Sequence, residues 1–398
     1  MKITIVQGAF LPVPPVAGGA VEKIWFDLGK EFARRGLDVT HVSRRYPRLA
    51  DATYEEAVRH VRVQGFDYPR SGLLAKAQDF IYSLRALRRI ERSDVVVTNT
   101  FFLPLLLSLL ALVSHSARRG VIYVSVHRYP QKQMFLYRGV DRLQCVSTAV
   151  ADAVREQTPD VAPLVKVIPN YVASVLSDEE GEATWDAREK VVLFVGRLHP
   201  EKGVHLLIGA FSQVPLEERA GWRLRVVGPH ETRRGGAGEE YLQMLKELAA
   251  SRELDVEWVG PVYDRAELDL HYRRASVFVY PSTAAQGEAS PLAPLEAMSQ
   301  GCPAITSDLT CFSDYVRPGV NASTFMIRDG QTTGLLAACL HRLMSNPRQR
   351  REFSREGLAT ARGLTLSRIA DSLYEDFSSL CTTRVTPPSR RAPDARLP

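Results

Sequence analysis

The sequence predicts two doubly wound α/β domains in tandem, each a parallel sheet covered by helices, facing one another across a cleft. Three observations predict this. The chain has 398 residues, too many for one ordinary core and suited to two units of roughly 150 to 200 residues. Short β-branched runs alternate with helix-length amphipathic stretches through the first half, which is the rhythm of a parallel sheet buried on both faces. After an acidic, polar stretch, "SDEEGEATWDARE" at 177–189, the same rhythm restarts.

The elements follow in order. "KITIVQG" reads as a buried strand, "VEKIWFDLGKEFARRG" as a helix closed by Gly36, and "DVTHVS" as the next strand. "DVVVTN", an apolar helix from Leu103 to Ala117, "GVIYVSVH", "RLQCVS" and "VKVIPNYV" complete the first unit, 1–172. A linker is expected at 173–189. The second unit, 190–364, carries strands in "KVVLFVG", "WRLRVVG", "DVEWVG", "ASVFVYPS" and "CPAITSD". A final amphipathic helix is expected over 365–380 with Thr365 as its N-cap, and residues 381–398 read as a disordered tail. No internal repeat is visible, so any kinship between the halves is one of architecture.

Composition narrows the function. Hydrophobic residues make up 45% and charged residues 24%, the proportions of a globular domain. The formal charge is +6. Half of it sits in the tail, where Arg384, Arg390, Arg391 and Arg396 face Asp394 alone. The remainder suits anionic small molecules or an acidic membrane surface and is too weak to argue for nucleic acid. Five scattered cysteines with no C-x-x-C pair read as reduced thiols in a cytoplasmic protein. A signal peptide is not expected in "MKITIVQGAF". The most apolar window, "FFLPLLLSLLALV", has 13 residues, short of the roughly 20 that a membrane helix needs.

Four stretches could carry chemistry. "GEASPLAPLEAMSQGCPAI" follows a predicted strand, so it sits at the carboxyl end of a sheet, where open α/β domains bind ligands. Pro291 and Pro294 suit a first helical turn. The amides of Ser290, Leu292 and Ala293 would then form an anion site suited to phosphate. Glu288 and Glu296 bracket that site, and carboxylates accept bidentately from sugar hydroxyls; spacing alone leaves an ordinary acidic helix start equally open. "FVGRLHPEKGVHLLIGAF" brings Arg197 and Lys202 to the same carboxyl edge, where two cations can neutralise a diphosphate; a solvated basic turn is the alternative. Gly18 and Gly19 permit close backbone approach to a ligand, but G-x-G-x-x-G is absent, so a dinucleotide oxidoreductase is disfavoured. His127 ends a strand of the first unit at the cleft, where a structural role and a catalytic one both stay open. Asp264 and Glu267 look like a capping box rather than a metal site, and no metal is implied. In "LLAKAQDFIYSLRALRRIER", Leu73, Ala77, Phe80, Leu84 and Leu87 share one helical face and Arg85, Arg88, Arg89 and Arg92 another. Packing on the sheet with the arginines in water is favoured over a basic helix at a membrane surface.

Taken together, separated stretches resemble the retaining, family 4 type glycosyltransferases of GT-B architecture. The glycine pair Gly18 and Gly19 followed by Glu22, "CVSTAVADAV", "VIPNYV", "GRLHPEKG", "VVGP", "VGPV" and the E-x7-E pair Glu288 and Glu296 stand in the family's order. The resemblance implies two Rossmann-like domains and transfer of a hexose from a nucleoside diphosphate, UDP most of all, to an acceptor hydroxyl with retained configuration. It implies no metal or other cofactor. Arg197 and Lys202 would hold the diphosphate, Glu296 the ribose and Glu288 the donor sugar. Ser290, Leu292 and Ala293 would offer amides, Val262 would lie near the base, and His127 would contact the sugar from the opposite domain. The acceptor would be a glycan, a lipid-linked sugar or a small molecule, with peripheral contact at the inner membrane face as a further expectation. Ala289, Ser290 and Tyr171 depart from the residues usual at their positions and leave the donor sugar open. A sugar-nucleotide 2-epimerase and a non-catalytic sugar-nucleotide-binding subunit are the alternatives.

Overall fold

The computed structural model describes residues 1–69, 71–114 and 119–385. Among these residues, fourteen strands form two sheets. In the first are β1 (Lys2–Val6), β2 (Asp38–Arg44), β3 (Ala52–Glu55), β4 (Val58–Val63), β5 (Val95–Thr98), β6 (Val121–Val126), β7 (Arg142–Cys145) and β8 (Val165–Val167), in the order β3-β4-β2-β1-β5-β6-β7-β8. The second holds β9 (Glu189–Val195), β10 (Arg223–Val227), β11 (Val256–Gly260), β12 (Ala275–Tyr280), β13 (Ala304–Ser307) and β14 (Ala322–Phe325), in the order β11-β10-β9-β12-β13-β14. Every pairing is parallel except β3 with β4. The helices of the first half are α1 (Ala20–Arg34), α2 (Gly72–Leu87), α3 (Leu103–Val113) and α4 (Thr148–Gln157). Those of the second are α5 (Asp178–Ala183), α6 (Val204–Gln213), α7 (Leu216–Arg219), α8 (Glu239–Ser251), α9 (Arg265–Arg274), α10 (Leu292–Ser299), α11 (Thr332–Ser345), α12 (Pro347–Arg362) and α13 (Leu366–Val385).

The strands are short β-branched runs because both faces are buried; β5, β6 and β12 are buried at every position. Helices start and stop where the letters ask. Gly36 takes φ +83° just past α1, a left-handed position that costs a side chain energy and glycine little. Ser147 caps α4 by accepting the Val150 amide at 3.2 Å, and Pro347 opens α12 at a position that needs no amide hydrogen.

Several elements differ from the sequence reading. The hairpin β3–β4 adds an antiparallel edge. The stretch 173–189 contains α5, opened by a full capping box between Ser177 and Glu180, because acidic residues in a first turn favour a helix. At Asp264 only half of the expected box forms: its carboxylate accepts the Glu267 amide at 2.8 Å. The apolar helix from Leu103 ends at Val113, and Ala117 lies outside the described residues. The final helix runs on to Val385, so residues 381–385 are helical rather than part of a tail; the i to i−4 ladder is still satisfied there, and the hydroxyls of Thr382 and Thr383 accordingly bond back to the carbonyls of Ser378 and Ser379. Residues 386–398 lie outside the described residues.

On α2 the buried side consists of Asp79, Tyr82, Ser83 and Ala86, not the leucine and phenylalanine face. Leu73, Leu74, Phe80 and Ile81 are exposed, as are Arg88, Arg89 and Arg92. Among the described residues no helix is long and apolar enough to cross a membrane.

The helix α13 ties the second half to the first. Phe377 packs on Phe32 of α1 and Tyr123 of β6. The buried Asp376 accepts from Arg142 at 2.8 and 3.0 Å, from Lys166 at 3.0 Å and from the Tyr123 hydroxyl at 3.1 Å. On the opposite side, Ser147 donates to the Ala289 carbonyl at 2.5 Å and the Thr148 amide to Asp314 at 2.9 Å.

Candidate active site

In an open doubly wound sheet the chain leaves in opposite directions on either side of one strand pair, and the crevice beyond their carboxyl ends is the natural ligand site. In the first sheet that pair is β1 and β5; in the second it is β9 and β12. The two crevices face each other across a cleft of about 1050 Å³. Its wall includes His127, Arg128 and Phe101 from the first half and Arg197, Glu288, Ser290 and Leu292 from the second. A second cavity of about 550 Å³ opens from it beneath the first sheet's edge and shares His127, Arg128, Phe101 and Gln133 with it.

The second half builds its side of the cleft at three points. After β9, Gly196 leads to Arg197, whose guanidinium donates to the Gly235 carbonyl at 2.8 Å and pairs with Glu201 at 3.3 Å while 43% of the side chain stays exposed. A short 3-10 turn, Pro200–Lys202, then buries Lys202. Gly203 follows at φ +72°, where a Cβ would stand 2.1 Å from the Pro281 carbonyl oxygen, so the loops after β9 and β12 meet backbone to backbone. Lys202 Nζ donates to Glu288 Oε1, which also accepts from Tyr280 at 3.0 Å and Ser282 at 2.8 Å. Three donors on one oxygen fix the carboxylate rigidly and satisfy it as a charged acceptor.

Beyond Glu288 the chain turns into α10. Pro291 is the N-cap, and Tyr315 holds its carbonyl at 2.7 Å. The amides of Leu292 and Ala293, in the first turn, have no intrahelical acceptor by geometry. Glu296 lies one turn further in and faces away from that opening: Arg265 donates to its Oε1 at 2.5 Å and Tyr272 to its Oε2 at 3.1 Å. Val262 follows β11 and packs, half-buried, against the second core.

From the first half, His127 follows β6. Trp25 donates its indole hydrogen to His127 Nε2 at 3.3 Å, and the Ser125 hydroxyl lies 2.8 Å from the same nitrogen. With Nε2 accepting, the ring proton belongs on Nδ1. Burial, with Arg128 beside it, pulls the ring's pKa down to about 4, so near neutral pH the ring is an uncharged N–H donor.

The structure thus brings His127, Arg197, Glu288, Ser290 and Leu292 to one cleft and puts Lys202 directly behind Glu288. Gly19 borders the adjoining cavity, while Gly18, Val262, Ala293 and Glu296 are not on the cleft wall. Sequence reasoning missed Arg265, Tyr280, Ser282 and Trp25, which hold the others in place. Arg265 sits four residues before Asp269 in a charged helix, and nothing in that spacing points to Glu296.

Comparison with known proteins bears on the family and the fold. The family description "Glycosyl transferases group 1" matches residues 177–359, and "Glycosyltransferase Family 4" matches residues 17–174. A D-inositol 3-phosphate glycosyltransferase of Kineococcus radiotolerans is 30% identical over 236 residues, 55% of this chain and 52% of that protein. The chain therefore spans about half the length of the curated relatives it matches first. Among solved structures, sucrose-phosphate synthase from Thermosynechococcus elongatus superposes with a TM-score of 0.76 at 21% identity, over 96% of this chain and all of that one. Anabaena HepE, solved with UDP and glucose, superposes with a TM-score of 0.68 at 20% identity, over 95% of this chain and all of that one. These likenesses show a shared fold, two Rossmann-like domains in GT-B arrangement, and with both family descriptions covering successive halves, the chain belongs to the group 1, family 4 glycosyltransferases.

Proposed function

We propose that the protein moves a hexose from a nucleoside diphosphate, UDP foremost, to an acceptor hydroxyl, with retention of anomeric configuration and without a metal ion. The observation that carries this reading is the meeting, on one cleft wall, of an exposed arginine, a rigid carboxylate and the amides of a helix start, opposite a neutral histidine. That set matches a diphosphate linked to a sugar. Arg197 neutralises charge on the departing phosphate. Leu292, on the cleft wall, supplies a main-chain donor to it, and Ala293, one residue further into the helix, can add a second only if the phosphate reaches past the wall. Glu288, held by Lys202, Tyr280 and Ser282, accepts from hydroxyls of the donor sugar, and His127 donates to that sugar from across the cleft. The UDP and glucose bound by Anabaena HepE on the same fold support the choice of donor.

In the step itself, the acceptor oxygen approaches the anomeric carbon from the face that the diphosphate leaves. The bond from carbon to phosphate oxygen breaks, the bond to the acceptor oxygen forms, and the acceptor's proton passes to the departing phosphate. The products are a nucleoside diphosphate and a glycoside of unchanged configuration, and no protein base is required. For Glu296 to take the ribose, its free lone pairs must serve alongside Arg265 and Tyr272. Incubation with a panel of UDP- and GDP-sugars and glycan acceptors in chelator, read by mass spectrometry and by the anomeric proton coupling, tests the reading. An inverted product, or turnover only after a divalent ion is restored, overturns the corresponding part.

The outward face of α2 and the end of α3 favour a peripheral membrane contact as well. Leu73 is 81% exposed, Leu112 83% and Val113 76%, and the exposed Arg88, Arg89 and Arg92 follow directly after α2. An apolar strip beside cations suits an anionic lipid surface. Flotation with anionic vesicles should carry the protein upward and neutral vesicles should not; equal behaviour counts against the contact.

A further inference from the structure

Four polar groups meet behind His127, and their demands on its ring conflict. Ser125 on β6 and Gln144 on β7 stand opposite each other in the sheet register, and both are buried. The Gln144 side chain donates to the Ile168 carbonyl at 2.6 Å. A backbone carbonyl only accepts, so the amide nitrogen of Gln144 is fixed there and its oxygen faces Ser125. That oxygen also only accepts, and the Ser125 hydroxyl donates to it at 2.5 Å. A hydroxyl carries one hydrogen, and this bond uses it.

Ser125 Oγ therefore meets His127 Nε2, 2.8 Å away, with a lone pair. That contact calls for a hydrogen on Nε2. Trp25 calls for the opposite. Its indole nitrogen is a donor only, the residue is 1% exposed, and the indole hydrogen is directed at the same Nε2 from 3.3 Å. The buried ring is neutral near pH 7, so it carries one hydrogen on its two nitrogens, and both demands cannot be met at once. The void that Trp25, His127 and Gln144 share is about 10 Å³, room for one water at most, so the side chains themselves decide the outcome.

We infer that Gln144, acting through Ser125, and Trp25 are opposed positioning residues that set which nitrogen of His127 carries the ring hydrogen, and so whether the other face of the ring donates or accepts. With the hydrogen on Nδ1, His127 is a donor there; with it on Nε2, Nδ1 is an acceptor. The ring stays neutral throughout: one hydrogen changes nitrogen and nothing else is gained or lost. The link to sugar recognition rests on the glycosyl-transfer reading. A sugar hydroxyl that gives its hydrogen to Glu288 has only lone pairs left for His127 and selects the Nδ1–H form, which Trp25 favours and Gln144 opposes. The balance at the ring itself belongs to the residues around it, with or without a donor bound.

Long-range proton–nitrogen NMR on the free protein, labelled in its histidine rings and held near neutral pH, distinguishes the two forms. The His127 signal is the one missing from His127→Asn. Gln144→Met and Ser125→Ala each remove the demand for a hydrogen on Nε2, and each should raise the ratio of the Nδ1–H form to the Nε2–H form by roughly threefold or more, as loss of one net hydrogen bond dictates. Trp25→Phe removes the opposing demand and should lower the ratio by a similar factor. Should Trp25→Phe fail to fold, the other two variants carry the test alone, since they reach the same nitrogen from two positions. A ratio unchanged or lowered in Gln144→Met or in Ser125→Ala, or unchanged or raised in folded Trp25→Phe, overturns the inference. Calorimetry with UDP on wild type reads the donor proposal separately; failure there removes the link to the sugar and leaves the balance at His127 standing.

Discussion

Lys202 Nζ lies 2.5 Å from Glu288 Oε1, and 6% of each side chain is exposed. Two groups that sequence places in separate motifs thus form one buried ion pair. Breaking such a pair from one side strands a charge and costs about 3–5 kcal/mol. Lys202→Met should therefore lower stability by about that amount in urea unfolding. The double variant Lys202→Met with Glu288→Gln, in which the amide carbonyl still accepts from Tyr280 and Ser282, should recover most of it and remain inactive. Recovery of turnover together with stability would show that the pair only holds the loops.

Asp376 makes a complementary case far from the cleft. Its carboxylate is 1% exposed and collects Arg142, Lys166 and Tyr123. Asp376→Ala leaves a half-buried arginine without its partner and should cost about 3–5 kcal/mol. A loss below about 1 kcal/mol in a urea titration would contradict the packing described for α13.

The fold was legible in the sequence wherever burial on two faces wrote itself as a β-branched run, as at β1, β5, β6, β9 and β12. It was not legible at the β3–β4 hairpin. There the turn residues Glu56 and Ala57 take φ +46° and +62° without the Asn-Gly or Asp-Gly signal such turns favour, and Arg59 and Arg62 interrupt the apolar pattern. The α2 face misled for a related reason: its leucines share a side, but the sheet beneath is met by Tyr82, Ser83 and Ala86, and periodicity cannot say which side a neighbour covers. At the site, the chain positions after β6, β9 and β12 followed from topology alone. That Glu296 turns to Arg265 and Tyr272 did not, because tertiary partners on α9 lie 24 and 31 residues away.

The stacked pair His41 and His60 sets a pH prediction. Both rings are fully buried, with centroids 5.5 Å apart, and neither has a side-chain hydrogen-bond partner. Burial is the main cause that pulls His41 to about 3 and His60 to about 4, with His60 acting on His41 and Arg62 on His60. Both values lie below the unfolded one of about 6.5, so the unfolded chain binds the protons first. The stability these rings confer is whole above pH 6.5 and is lost as pH falls from there toward 4 and 3, at about 1.4 kcal/mol per pH unit per ring. His60→Phe should reduce that slope by one ring's share between pH 6 and 4.5. An unchanged slope in chemical denaturation across that range would refute it.

The proposed transfer requires a nucleoside diphosphate in the cleft against Arg197. Titration calorimetry of UDP into wild type and Arg197→Ala, in chelator, tests it most directly. Arg197 is 43% exposed and its partners are one loop carbonyl and a part-exposed glutamate, so its removal should shift the melting temperature little. A charge-assisted contact of about 1.5–3 kcal/mol predicts UDP binding to wild type and roughly 10- to 150-fold weaker binding to the variant. Equal affinity in the two proteins, or none in wild type, would contradict the account.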